Sequence, residues 1–170
     1  YIENIPTSLS TGLAYGPAEI KGVAMKDTSL LKGPLSGLDC IYYHYKVKER
    51  RGSGKKAKWV TITDEEHRRD FICKDSEGQT PVRMDSAEIH TKHKHYEHTG
   101  NRMYFEWNLR PDDQMYILGP AIVDDRTGDR LMFARDDSQF PLIVANLTED
   151  QMMHRKGRRG LGFLNLGLNG

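Results

Sequence analysis

The sequence predicts a mainly β fold, a β-rich α+β chain arranged as an antiparallel sandwich or partly open barrel with a short C-terminal helix. Three observations predict it. Short segments rich in Val, Ile, Tyr and Thr recur along the chain, separated by polar turn chemistry. Helix-start signals are few, and the clearest lies near the C-terminus. The 170 residues are 37% hydrophobic and 29% charged, which suits a well-solvated domain that buries a core without disulfide support.

From the N-terminus, residues 18–25 alternate loosely and read as a first strand. Residues 40–48, rich in Tyr, Ile and Val, read as a second. The run Arg51-Gly52-Ser53-Gly54-Lys55-Lys56 is a hairpin loop, and residues 59–63 resume as its return strand. Residues 71–75 and 81–84 flank Ser76-Glu77-Gly78-Gln79, which is a turn. Residues 103–107, 114–123 and 130–135 are further strands, the last two joined by a polar hairpin at 124–129. Residues 141–146 form a last short strand. Thr148-Glu149-Asp150-Gln151 has the spacing of a capping box and predicts a helix from Glu149 to about Lys156. A helical turn is expected within 8–13 or 26–31. Thr99-Gly100-Asn101 marks a weak boundary, although the second half of the chain is too short to stand as a separate domain.

Charge and cysteine usage narrow the function classes. The formal net charge is +1, whereas a dedicated nucleic-acid binder shows a basic excess, so nucleic acid is not the expected partner. A local basic patch remains compatible with that balance. Lys46, Lys48, Arg50, Arg51, Lys55, Lys56 and Lys58 form a basic hairpin able to touch anionic lipid head groups or RNA, or simply to solvate a hairpin tip. The two cysteines, Cys40 and Cys73, sit in apolar runs and read as buried free thiols, with one disulfide possible in an oxidising compartment.

Candidate chemistry centres on His90, His93, His95, Glu97 and His98. Imidazole and carboxylate suit zinc, and on a strand His93, His95 and Glu97 share one face. Lys92 and Lys94, interleaved with them, oppose a cation and favour a solvated loop or edge strand. The pairs Asp112-Asp113, Asp124-Asp125 and Asp136-Asp137 adjoin turns, where Asp serves local hydrogen bonding better than acid–base work. Neither a Gly-x-Ser-x-Gly elbow nor a Walker A loop occurs. No catalytic residue is assigned. Asn146-Leu147-Thr148 fits the N-glycosylation pattern.

The chain opens at Tyr1 without a Met, as a cut or processed product would, and shows no signal peptide and no run of ~20 apolar residues. Arg155, Lys156, Arg158 and Arg159 lead into a Gly- and Leu-rich run at 160–168. That pattern resembles the cytoplasmic edge of a membrane helix. The expected division is a domain at 1–155 and a tail at 156–170 that begins a truncated membrane segment.

The segment Pro34-Leu35-Ser36-Gly37-Leu38-Asp39-Cys40-Ile41-Tyr42-Tyr43 resembles the Pro-Leu-x-Gly-x-x-Cys-x-x-Tyr signature of the GIDE domain, also called the BAM ("beside a membrane") domain, of prokaryotic type. Ile5-Pro6-Thr7-Ser8, Gly16, Glu19-Ile20-Lys21-Gly22, Trp59 and the segment 71–78 occur in the family's order. Glu106 to Gly119 is similar to the family's Glu…Leu-x-Pro-Gly-Asp-x-Val-Tyr-Val-x-Gly segment, with Asp112 standing where the family has Gly. Pro34 and Gly37 are expected to shape a turn, and Cys40, Tyr43 and Trp59 to pack as strand residues. The resemblance implies a domain between two membrane helices that lie outside this chain. Eukaryotic relatives are membrane E3 ubiquitin ligases whose zinc-binding RING lies elsewhere, and these residues lack the RING ligand spacing. The expectation is a non-catalytic, membrane-proximal sensing or interaction module with an unknown protein or small-molecule partner. The alternatives are the soluble part of a RING-type ligase and a His-cluster zinc module. The basic cluster favours the cytoplasmic face, whereas the mitochondrial relatives place this domain in the intermembrane space.

Overall fold

The computed structural model describes residues 7–8, 16–128 and 130–158, with side chains for 16–128 and 130–155. Fourteen strands and one α-helix lie among them: β1 (Thr7–Ser8), β2 (Gly16–Lys26), β3 (Leu31–Lys32), β4 (Asp39–Cys40), β5 (Tyr42–Arg51), β6 (Lys58–Arg68), β7 (Phe71–Lys74), β8 (Gln79–Val82), β9 (Glu88–His90), β10 (His93–Thr99), β11 (Arg102–Leu109), β12 (Gln114–Val123), β13 (Leu131–Phe133), β14 (Ile143–Ala145) and α1 (Glu149–Arg158). The chain is mainly β, as the sequence predicts. The helical turn expected at 26–31 is absent, because β2 continues to Lys26 and a bend leads straight into β3. Of the helical turn expected at 8–13 only Ser8, in β1, is described, and of the tail expected at 156–170 only residues 156–158, which continue α1; the rest lies outside the described residues.

One sheet curls into a partly closed barrel. Strands β2, β7, β8, β13 and β12 pair in that order, and β12 returns to β2 through an eight-residue antiparallel ladder from Gln114↔Val23 to Ala121↔Gly16. The closing pair is Phe133↔Val82 between β13 and β8, which run parallel. The second edge of β12 is shared, with β14 beside residues 116–118 and β13 beside 121–123. The pairings β1–β2, β8–β13 and β9–β14 are parallel, a departure from a purely antiparallel barrel.

This arrangement explains why residues 115–121 read as continuous apolar sequence rather than as an alternation. Met115, Ile117 and Ala121 face the barrel core with Ile20, Ala24, Phe71, Val82 and Phe133. Tyr116 and Leu118 face the other way, onto Ile143, Ala145, Leu147 and Met152 of α1. Both faces of β12 are therefore covered, the condition under which a strand loses its polar alternation. Helix α1 begins as predicted, with Thr148 Oγ1 accepting from the Gln151 N–H at 3.1 Å and Gln151 Oε1 accepting from the Thr148 N–H at 3.0 Å.

The second sheet, in the order β10-β11-β5-β6, is antiparallel and carries two hairpins. Thr99 pairs with Arg102 around Gly100-Asn101, and Gly100 has φ +59°. The weak boundary at that point is a tight hairpin turn within one sheet. Strand β6 outruns the expected 59–63 and continues to Arg68, because β5 supplies partners along its whole length, with one bulge opposite Val47/Lys48.

Asp112 has φ +72°, the left-handed backbone that glycine adopts at least cost. Its N–H donates to the Ala24 carbonyl at 2.8 Å, so the turn is tied to β2. Asp112→Gly is expected to raise stability by up to about 1 kcal/mol, the relief of the left-handed side chain slightly exceeding the greater freedom of the unfolded glycine. A urea titration of the two proteins measures the difference.

Candidate functional site

Alternation places every second residue of the four-stranded sheet on the same face. Register then defines rows across that face. His44, Glu66, Trp107 and Lys94 form one row, and Lys46, Asp64, Phe105 and Tyr96 the next. Lys48, Thr61, Met103 and His98 form the third, and Arg50 with Trp59 the fourth. Aromatic rings and cations thus alternate on one surface.

The rings touch in a ladder. His44 lies 5.2 Å from Trp107, Trp107 is stacked on Phe105 at 5.8 Å with an interplanar angle of 7°, and Phe105 lies 5.1 Å from Tyr96. Near the hairpin tips Trp59 meets His98 edge-on at 5.7 Å. Lys94 Nζ sits 5.4 Å from the Phe105 centroid and 5.6 Å from that of Trp107, and Lys48 Nζ sits 5.7 Å from Phe105. Tyr96 is 53% exposed and Trp59 39%. The two acids of the face lie on its β6 edge and are engaged there. Asp64 Oδ1 is 2.6 Å from His44 Nε2, and Glu66 accepts from the Tyr42 hydroxyl at 2.7 Å and from Arg68 at 3.0 Å.

Trp59 therefore departs from the packing expected of it. It stands at the far end of a sheet that no second layer covers there among the described residues, whereas Cys40 is fully buried and Tyr43 half-buried. Both cysteines are free and buried, and burial pushes the Cys40 thiol up to about 11 and the Cys73 thiol up to about 12.

The opposite face of the sheet meets the barrel through a polar seam. Glu106, fully buried on β11, accepts from the backbone N–H of Leu35 at 2.8 Å and of Ser36 at 3.0 Å, from Ser36 Oγ at 2.6 Å and from Asn108 Nδ2 at 2.6 Å. Burial pushes its carboxyl upward, but these four donors outweigh it and hold the group below the ordinary value. The Pro34-to-Gly37 segment is thus a turn clasped around a carboxylate. Gly37 has φ +72°, and a Cβ on Gly33 would fall 2.5 Å from Glu106 Oε2. Gly119 is likewise a close approach, where a Cβ would meet Leu142 Cδ1 at 2.8 Å.

The histidine cluster is distributed along this seam. His93, His95 and Glu97 share a face, as the alternation predicts, but His90 belongs to β9 in the other sheet. His93 Nε2 is 3.0 Å from Asp113 Oδ1, His95 Nε2 accepts from Arg110 Nη2 at 2.7 Å, and His90 Nε2 is 2.6 Å from Glu88 Oε2. Among the described residues no group of three or more His, Cys, Asp or Glu is placed to hold a metal ion. Asn146 completes the seam. Its amide nitrogen donates to Thr91 Oγ1 at 2.9 Å and to Asp113 Oδ2 at 3.1 Å, and its oxygen accepts from the Lys92 N–H at 2.8 Å. Buried with its amide engaged, Asn146 is a structural residue and not an accessible glycan acceptor. The acidic pairs serve turns: Asp124 accepts from the Arg126 N–H at 3.0 Å and Asp136 from the Ser138 N–H at 2.9 Å.

Sequence reasoning identified the basic hairpin but not the aromatic ladder that accompanies it. The signal was present in Met103-Tyr104-Phe105-Glu106-Trp107, whose alternate residues Phe105 and Trp107 face away from Tyr104 and Glu106, but assigning that face to solvent required the register of all four strands. No helix among the described residues is long and apolar enough to cross a membrane. Comparison with family models, curated proteins and solved structures finds no match.

Proposed function

We propose that this chain is a non-catalytic interaction module that works beside a membrane and engages its partner through the aromatic and basic face of the β10-β11-β5-β6 sheet. The observation that carries the reading is that face, where Trp107, Phe105 and Tyr96 form a ladder with Lys48 and Lys94 set over the rings. Solvent-facing aromatic side chains with interleaved cations are the composition of recognition surfaces. Cys40, Cys73 and Tyr116, whose protonation burial displaces far from the ordinary range, are buried within the fold and away from this surface, as is the carboxylate of Glu106. The position beside a membrane rests on the resemblance of residues 34–43 and 106–119 to the GIDE domain.

Both tryptophans of the chain, Trp59 and Trp107, lie on the face, so intrinsic fluorescence reports its occupancy directly. Heparin and phosphatidylserine vesicles serve as generic anionic probes beside oligonucleotides. Saturable change in tryptophan emission with at least one of the three, lost at high salt, is the expected result. Unchanged emission with all three would refute the face as a binding surface. Recovery of the full-length product in the soluble fraction after cell lysis would refute the membrane placement.

A further inference from the structure

We propose that the aromatic and basic face binds single-stranded nucleic acid, with bases stacking on exposed Tyr96 and Trp59 and on the half-buried rings of Phe105 and Trp107, and phosphates pairing with Lys46, Lys48, Arg50 and Lys94. The proposal rests on the reading of this face as the binding surface and names its ligand class.

Three features favour that ligand. The first is spacing. Four rows separated by two residues each extend along about 20 Å of strand, room for roughly four nucleotides, the small end of sites on such surfaces. Tryptophan, phenylalanine or tyrosine rings occur in three of those rows, at Trp107, at Phe105 with Tyr96, and at Trp59, and His98 supplies an imidazole in the other. The second is the pairing of charge with ring. Lys94 and Lys48 stand on the strands either side of β11, diagonal to Phe105, each with its ammonium between about 5 and 6 Å from the ring. A base laid on the ladder would bring its flanking phosphates within reach of both ammonium groups. These two lysines lie over rings, whereas Lys46 shares Asp64 at 4.0 Å.

The third feature separates a single strand from a bilayer. Asp64 and Glu66 lie on the same face, along the β6 edge. A planar anionic membrane would have to cover them together with the lysines. A single polynucleotide can follow β10, β11 and β5 and leave that edge in water. A duplex offers no free base faces, so it satisfies the cations but not the rings. The net charge of +1 argued against nucleic acid on composition alone; on this face, however, the cations lie among the rings while its two carboxylates, Asp64 and Glu66, are engaged at the β6 edge.

The experiment titrates the 170-residue chain with dT10 and U10 oligonucleotides at low salt and follows tryptophan emission. A duplex of about 10 base pairs, heparin and phosphatidylserine vesicles are the comparison probes. Quenching by dT10 or U10 that saturates, with affinity at least about tenfold above that for the duplex, is expected. With about three to four phosphates neutralised, log K should fall against log salt with a slope of about −2 to −3. The exposed double variant Tyr96→Ala/Lys94→Gln should weaken binding by about tenfold or more while its circular dichroism and melting stay unchanged. Phe105→Ala should weaken it further, and its melting curve checks that it is folded.

Several results would overturn the proposal. Duplex and single strand binding alike would make the face a polyanion surface. Binding of vesicles or heparin without oligonucleotide binding would leave the face as a recognition surface and remove nucleic acid as its ligand. Oligonucleotide affinity unchanged in Tyr96→Ala/Lys94→Gln would place the contact elsewhere. No response to any probe would remove both this proposal and the reading on which it rests.

Discussion

Replacing Glu106 by glutamine is expected to destabilise the fold by about 2–4 kcal/mol. The carboxylate accepts four hydrogen bonds in a fully buried site, and two of the donors are backbone N–H groups of the loop at Leu35 and Ser36. Glutamine keeps the shape but presents an amide NH2 where an acceptor is required. At least one buried donor is left unsatisfied, and the remaining bonds lose their charge. Glu106 holds the loop from Gly33 to Gly37 against β11, whereas the loop's other backbone bonds run within the loop itself, so its exchange protection should fall first.

The pH dependence follows from the direction of the shift. Burial raises the Glu106 carboxyl, but the hydrogen bonds overcome it and the native value lies below that of the unfolded chain. Its stabilisation is therefore complete above the ordinary carboxylate range and is lost as pH falls through the native value. Urea titrations of native chain and Glu106→Gln should converge as pH is lowered below about 4. A constant gap between them across that window would show that the carboxylate charge contributes nothing.

Phe133→Ala is the second large effect, expected at about 3–5 kcal/mol. Phe133 is fully buried, faces the barrel core, and lies at the pairing of β13 with β8 that closes the ring of strands. Deleting its ring leaves a cavity lined by residues held on several different strands, which cannot all move inward together. The melting temperature should fall by roughly 10 °C or more. Hydrogen exchange adds a spatial readout: protection at β8 and β13 should be lost ahead of protection in β5 and β11. A cost below about 1 kcal/mol would mean that the barrel is free to collapse around the missing ring.

Much of the fold was legible because the signals were local. The capping box at Thr148 and Gln151 involves residues three apart, and its reciprocal hydrogen bonds are those expected. The span of β12, residues 114–123, matches its apolar run, bounded by Asp113 and Asp124. The hairpin at 51–58 was announced by its Gly, Ser and Lys content. Strand β6 was less legible. Asp64-Glu65-Glu66-His67-Arg68 has little strand propensity of its own and is extended because β5 pairs with it from Tyr42 to Lys46. Strand β10 was ambiguous for the same reason: a polar sequence at a sheet edge carries no periodic apolar signal.

The site divides along the same line. Sequence alone determined that the chain is β-rich, that it ends its described part in a capped helix, and that basic residues concentrate around one hairpin. It also located the turn at Pro34 and Gly37, since proline and glycine act on the backbone where they stand. Only the tertiary structure decided what surrounds each side chain. It buried Asn146, divided the histidines between two sheets and engaged them with Glu88, Asp113 and Arg110, and left Trp59 exposed. It also laid Trp107, Phe105, Tyr96 and Lys94 of the β10–β11 hairpin beside Lys48 of β5, a strand far from that hairpin in the chain. Alternation says which residues share a face of one strand; it does not say which strand lies alongside or whether another layer covers them. Those are set by long-range pairing and burial, and they are what make the face a candidate binding surface.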